Sequence, residues 1–332
     1  MKQPEFWFRP PGLFSTLLLP IAALWGAATR YRLRRGRRTG TGTPVICIGN
    51  LNVGGAGKTP MAMAMAQHLV ALGETPHFVT RGHGGSLRGP ARVDPGQHRA
   101  DDVGDEALLL AAFAPTWVCR QRQAGASLAT DAGASVIILD DGHQDASIHH
   151  DLSIVVVDTG RGFGNERVLP AGPLREPVAA GLRRAHLVVA IGCGTPGEFR
   201  RRWLPGSDLP VAAGSMTPLR TGIDWQGERV LAFAGIGDPA KFFASLEALG
   251  AHLVKAVPLG DHQPLTGRLL SRLESAARAA SAKLVTTEKD AVRLNDQWRS
   301  YVLTLPVRLE LEDWSDIDAL LAATGISSAA AA

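Results

Sequence analysis

Cysteine is scarce: Cys47, Cys119 and Cys193 are the only three in 332 residues, and no two form a C-x-x-C pair. Each lies in or beside a separate apolar run, which excludes a disulfide framework and a clustered zinc site. Buried thiols in a reducing compartment are expected instead. Aromatic residues are also few, at 6% with only two tyrosines. Aliphatic and small residues fill apolar runs that alternate with helical patterns, which is α/β composition. Acid is nearly missing from the N-terminal end. Residues 1–90 hold eleven Lys/Arg against Glu5 and Glu74 alone. That leaves an excess of nine positive charges there, and a remainder of the chain that is net −5 within an overall +4. A basic end on an acidic remainder points to a polyanionic surface as partner.

The most informative stretch that is present runs from Val45 to Thr59. Val45-Ile46-Cys47-Ile48 reads as a buried parallel strand that stops at Gly49. A glycine-rich loop follows, and Lys58-Thr59 opens a helical pattern to about Leu72, the context in which a P-loop motif carries weight. Residues Asn52, Val53, Gly54, Gly55, Ala56, Gly57, Lys58 and Thr59 are the expected ATP phosphate cradle. Backbone N–H groups and the helix N-terminus supply positive potential for it. Lys58 would reach the β- and γ-phosphates, and the Thr59 hydroxyl would ligate Mg²⁺. The motif's first glycine is replaced by Asn52, which is expected to tolerate the left-handed backbone a glycine would adopt there.

Further along, Val136-Ile137-Ile138-Leu139 ends in Asp140-Asp141, an apolar strand with acid at its C-terminal edge. This is the Walker B arrangement, and it makes Asp140 and Asp141 candidate metal ligands without choosing between them. Gly104-Asp105-Glu106 opens a helix with two carboxylates in its first turn. They suit the helix dipole, and in a nucleotide cleft one of them could equally be a general base or a metal ligand.

One long uncharged run exists, Pro10–Thr29, followed by six arginines within residues 30–38. Twenty helical residues cover about 30 Å, one hydrocarbon thickness. Pro20 is expected to kink such a helix, while Phe14 and Trp25 suit an interface. A cleaved signal peptide would carry the P-loop away from ATP, so an anchor with its positive flank in the cytoplasm is the expectation. It either spans the bilayer or lies in one leaflet.

The chain divides into an anchor and basic flank (1–38), a P-loop domain (39–220) and a smaller α/β domain (221–332). The expected fold is two α/β/α sandwiches, the first with a P-loop-type parallel sheet, plus the N-terminal helix. In the second domain Gly235-Ile236-Gly237 precedes Pro239 and lacks a correctly placed third glycine, so it is discounted as a dinucleotide site. Thr287-Glu288-Lys289-Asp290 fails the N-K-x-D spacing of guanine recognition and reads as a strand end followed by a helix cap.

Several of these segments together resemble tetraacyldisaccharide 4'-kinase, the lipid A pathway kinase of Gram-negative bacteria. They are Asn52–Pro60, Gly104-Asp105-Glu106, Asp140-Asp141-Gly142-His143-Gln144, the loop Gly160–Pro177, Leu259–Pro264, Thr286–Leu294, the tail Val307–Leu311 and the N-terminal run. The resemblance covers nearly the whole chain in the same order. It implies transfer of the ATP γ-phosphate, with Mg²⁺, to the 4'-hydroxyl of a tetraacyldisaccharide 1-phosphate, giving lipid IVA. It also implies Asp105 as base assisted by His262, Lys58 offsetting phosphoryl charge, and Glu106, Gln144, Arg175, Glu176 and Asp261 near phosphate or substrate. The implied setting is the cytoplasmic face of the inner membrane, with a lipid substrate and an anionic membrane surface as partners, no nucleic acid and no obligate protein partner. The competing reading is a membrane-associated P-loop switch ATPase or GTPase acting through protein partners. That would need a bridging second lysine or a base-specificity motif, and Asn52-Val53 stands where the extra lysine is sought.

Overall fold

The computed structural model describes residues 3–326 apart from 193 and 262. Cys193 and His262, both singled out by the sequence, therefore lie outside the described residues. Cys47 and Cys119 are buried free thiols, and burial pushes the Cys47 thiol up to about 12.

Among the described residues thirteen strands form two sheets. In chain order they are β1 (Val45–Gly49), β2 (Pro76–Thr80), β3 (Ala91–Arg92), β4 (Thr116–Val118), β5 (Val136–Asp140), β6 (Leu152–Asp158) and β7 (Leu187–Ile191). These are followed by β8 (Val211–Pro218), β9 (Arg229–Ala234), β10 (His252–Pro258), β11 (Lys283–Thr287), β12 (Val302–Leu305) and β13 (Val307–Leu311). The larger sheet has the order β13-β8-β7-β6-β1-β5-β2-β4-β3. Its interior pairings are parallel, and only the edge pairs β3–β4 and β13–β8 are antiparallel. Strands β1, β2, β5 and β7 are buried at every residue, as parallel strands covered on both faces require. One covering layer is the Lys58–Ala71 helix, whose Met61, Met63, Met65 and Leu69 fill the core over Ile46, Ile48, Ile138 and Ile154.

This topology places the site. β1 is central, and its register sets Ile48 opposite Asp140 of β5. The loop after β1 and the acids ending β5 therefore emerge side by side at the C-terminal edge, where α/β sheets bind ligands.

The smaller sheet, β10-β9-β11-β12, is wholly parallel. Alternate residues of β9 serve opposite faces. Val230, Ala232 and Ala234 meet Phe242 and Leu246 of the Pro239–Ala248 helix, while Leu231 and Phe233 meet Leu270 and Leu273 of the Gly267–Ala279 helix. A three-layer sandwich results.

Two expectations change. The division at residue 221 assigned the chain's end to the second domain, but β13 pairs antiparallel with β8 and Ile317, Leu321 and Ile326 enter the larger sheet's core. The smaller sheet spans only Arg229–Leu305. The pattern of β13 explains this: Leu309 and Leu311 turn inward and Arg308 and Glu310 alternate with them, as suits a sheet edge. The uncharged N-terminal run also divides, into helices Leu13–Leu17 and Leu19–Arg35. Pro20 does not kink a continuous helix; it occupies the first turn of the second one, where its missing N–H costs nothing. Among the described residues no helix is long and apolar enough to cross a membrane.

Candidate active site

The loop after β1 turns into the Lys58–Ala71 helix at Gly57, whose φ of 90° is open to glycine, and a Cβ there would strike Ile191 Cδ1 at 2.6 Å. Lys58 Nζ lies 3.5 Å from Gly54 O and 3.9 Å from Asp141 Oδ1, so its charge stays inside the loop. Asn52 does not adopt the left-handed conformation expected of it. Among the described non-glycine residues only Asp141, Glu166 and Ser281 have positive φ. Asn52 instead bridges to Leu174 and donates Nδ2–H to Gly162 O at 2.8 Å, tying the phosphate loop to the 160–175 segment. A side-chain amide can do this and a glycine cannot.

The acid pair is split by its surroundings. Asp140 is 1% exposed and accepts from the Thr59 hydroxyl at 3.4 Å, while its Oδ1 is buried without a partner among the described residues. Burial, with the Glu106 carboxylate nearby, pushes its pKa up to about 7 against the opposing pull of Lys58. Asp141 has φ 55° and forms a two-pronged pair with Arg175 at 2.7 and 3.0 Å. Burial alone would raise it, but Lys58 and Arg175 together hold it well below the usual carboxylate range. So Asp140 faces Thr59, and Asp141 is occupied by cations. Among the described residues no group of three or more His, Cys, Asp or Glu converges as a metal cage. Mg²⁺ needs none, since it keeps waters and phosphate oxygens and takes one or two protein ligands. The Thr59 hydroxyl and the unpartnered Asp140 Oδ1 fit that requirement.

Sequence reasoning missed Arg122. Its guanidinium is 2% exposed and donates to Asp140 O at 3.0 Å, Asp141 O at 2.7 Å and Asp145 Oδ2 at 2.9 Å. It thereby pins the strained turn carrying both acids. Nothing in Gln121-Arg122-Gln123 announces this, because the partners lie on a different strand end.

Also in the first domain, Asp105 and Glu106 open the Asp105–Ala111 helix after Gly104, and Asp105 is 3% exposed. Asp105 Oδ1 accepts from Glu106 N–H at 2.9 Å, and its Oδ2 is 3.9 Å from Arg293 Nε. Lys289 donates to Glu106 at 3.2 Å and lies 3.8 Å from Asp261. Burial lowers the Lys289 pKa, but the carboxylates of Glu106, Asp105 and Asp261 outweigh it, so the net shift is upward and the ammonium stays charged. The Thr287–Asp290 stretch is the helix cap expected, with Thr287 Oγ1 accepting from Asp290 N–H at 3.2 Å. It is also more than a cap, because Lys289 crosses to the first domain. The Gly235 turn is held from beneath by the Asp290 carboxylate, and Gly237 sits against Gly55 of the phosphate loop.

Behind the acids, Gln144 donates to Asn50 O and to Glu176 Oε1, each at 3.0 Å, and accepts from Arg175 at 3.1 Å. Glu176 is 2% exposed and is gripped by Arg184 at 2.6 and 2.9 Å. Gln144 and Glu176 thus brace the loop that presents Arg175. His143 is buried between Ser153 Oγ and Gly181 O, and burial with the nearby Arg184 lowers it to about 4, so it is neutral.

Comparison with known proteins identifies relatives of the whole chain. The family model described as tetraacyldisaccharide-1-P 4'-kinase matches residues 14–325. A tetraacyldisaccharide 4'-kinase of Jannaschia sp. (strain CCS1) is 54% identical over 319 residues, covering 96% of this chain and 97% of that protein. One of Dinoroseobacter shibae is 53% identical over 326 residues, covering 97% of each. Among solved structures, the "apo" form of LpxK from Aquifex aeolicus in complex with ATP superposes with a TM-score of 0.75 at 26% identity, covering 94% of this chain and 99% of that one. The chain belongs to the tetraacyldisaccharide-1-P 4'-kinase family.

Proposed function

We propose that the cleft between the two sheets transfers the γ-phosphoryl group of ATP to the 4'-hydroxyl of a tetraacylated disaccharide 1-phosphate lipid. The observation that carries this is a set of groups from different elements gathered at one acid pair: Thr59 donates to Asp140, Lys58 lies beside Asp141, and the Glu106 carboxylate acts on Asp140 from the helix start that also carries buried Asp105. The family's name supplies the acceptor, and the similar structure solved with ATP supplies the donor. Thr59 and Asp140 would hold Mg²⁺, which supplies charge neutralisation on the phosphates when bound. Lys58 sits where it offsets charge on the transferring group. Asp105 takes the acceptor hydroxyl's proton, a contribution typically worth roughly 10²–10⁴-fold. His262, which the family resemblance pairs with Asp105, follows Asp261 in the chain, and Asp261 lies 3.8 Å from Lys289. The Glu106–Lys289 pair joins the two sides and would hold them closed around both substrates.

The N-terminal helix suits a membrane surface. In Leu19–Arg35 the small residues Ala22, Gly26 and Thr29 face the protein, and Ile21, Leu24, Trp25 and Tyr31 face outward. Leu13, Phe14 and Leu17 of the preceding helix are also exposed. Large apolar residues outside, small ones inside and arginines at the end describe a helix lying in the interface of an anionic leaflet. ATP dependence sets that leaflet on the cytoplasmic face of the inner membrane.

Asp105→Asn separates the catalytic role from simple dipole complementation. The variant should lose roughly 10²-fold or more in kcat with ATP binding nearly unchanged. Wild-type kcat with a lowered Tm would return Asp105 to the helix terminus alone. Thr59→Ala should raise the Mg²⁺ concentration needed for half-maximal rate, and an unchanged requirement would remove Thr59 from the metal site.

A further inference from the structure

A pocket of about 240 Å³ opens where the Leu19–Arg35 helix meets the segment following Arg175. Arg30, Arg34 and Arg38 line it from one side and Arg183 and Arg184 from the other, with Glu176 as its one carboxylate. Glu176 is already engaged by Arg184 through both oxygens. Among the described residues Arg30, Arg34, Arg38 and Arg183 have no carboxylate partner. Arg30 and Arg34 are also one turn apart, a like-charge spacing that weakens a helix slightly. Fold stability gives no reason to gather these guanidiniums around one volume. An anion in the pocket does.

The setting names the source of that anion. Trp25 lies on the outward face of the same helix, and Arg30 and Arg34 follow it by roughly 8–14 Å along the axis. A headgroup above the apolar face is therefore within reach of the pocket. Planar guanidiniums bind phosphate through two parallel hydrogen bonds, which scattered surface charge does not achieve. We infer that the pocket binds the headgroup phosphate of an anionic bilayer phospholipid and so seats the helix at the membrane. This rests on the interfacial reading of the helix given above and sharpens it from general charge attraction to a defined site.

Two variant pairs of equal charge test it. Arg34→Gln with Arg183→Gln removes two pocket arginines, and Arg32→Gln with Arg37→Gln removes two that lie outside. Water-soluble short-chain phosphatidylglycerol, below its micelle concentration, should bind wild type saturably with one molecule per chain. The pocket pair should bind it at least tenfold more weakly, the loss expected when charge-assisted bonds to phosphate go. The outside pair should stay within about twofold of wild type, since exposed charges are screened. Equal losses in the two pairs would overturn the site. Inorganic phosphate binding as tightly as the short-chain lipid would overturn the lipid assignment. So would a pocket pair that raises the acceptor KM in neutral detergent while keeping phosphatidylglycerol binding. Sedimentation with vesicles of phosphatidylglycerol in phosphatidylcholine checks the underlying reading: no sedimentation of wild type overturns the interfacial helix and the site with it. Sedimentation without saturable short-chain binding overturns the pocket alone.

Discussion

Replacing Arg122 with alanine removes donors from two backbone carbonyls and one buried carboxylate at once. Asp145 would keep Ser147 and Arg81, but Arg81 is 3.3 Å away and its side chain is 59% exposed, so it substitutes poorly. Breaking a buried ion pair from one side costs about 3–5 kcal/mol, and the two carbonyls lose satisfaction within that figure. About 4 kcal/mol is therefore expected, a large share of an ordinary domain's stability. The assay is urea unfolding followed by circular dichroism for Arg122→Ala, Asp145→Asn and the double variant. Because both residues belong to one network, the double should cost less than the sum of the singles by at least roughly 1 kcal/mol. The acid turn should loosen as well, so Arg122→Ala at permissive temperature should need more Mg²⁺. A stability loss under about 1 kcal/mol, or strict additivity, would refute Arg122 as the pin of the Asp140-Asp141 turn.

Two other predictions are independent of that network. Lys289→Ala should raise KM for the acceptor, and in a cycle with Glu106→Gln the two should be coupled by roughly 0.5–2 kcal/mol; independent effects would remove the bridge across the cleft. Stability should also fall with acid. Burial and the neighbouring Arg184 lower His143 from 6.5 to about 4, and burial with His143 and Arg38 lowers His150 to about 3. The folded state then binds fewer protons than the unfolded one below pH 6.5, so stability is full above 6.5 and is lost as pH falls toward those values. Each histidine can contribute a slope of up to about 1.4 kcal/mol per pH unit there. Melting curves between about pH 7 and pH 5 should show a shallower loss for His150→Gln, and an identical loss would contradict its neutral burial.

The phosphate loop and the acids ending β5 were legible because each is a local pattern: strand, glycine turn, helix start, or apolar run into acid. The two-layer coverage of both sheets followed from the same runs. What escaped depended on contacts distant in sequence. Arg122 acts through carbonyls on another strand end, and Lys289 reaches Glu106 across 183 positions. The return of β13 to the first sheet was hidden because alternation fixes a strand's faces but not its partner. Asn52 shows the complementary error: the residue was marked correctly, but its side-chain bond to Gly162, rather than its backbone, explains it. Choosing Asp140 over Asp141 as the group facing Thr59 needed the neighbouring cations, which spacing does not reveal.

In the proposed function one cleft carries phosphoryl from ATP to lipid. This is tested most directly by following γ-labelled ATP with the dephospho acceptor in mixed micelles. Wild-type protein should move label into lipid stoichiometrically with ADP formed, and should release little free phosphate when acceptor is omitted. Lys58→Ala should abolish most of that transfer while retaining a cooperative melt. ADP formation that continues without acceptor, with label appearing as free phosphate rather than in lipid, would contradict the account.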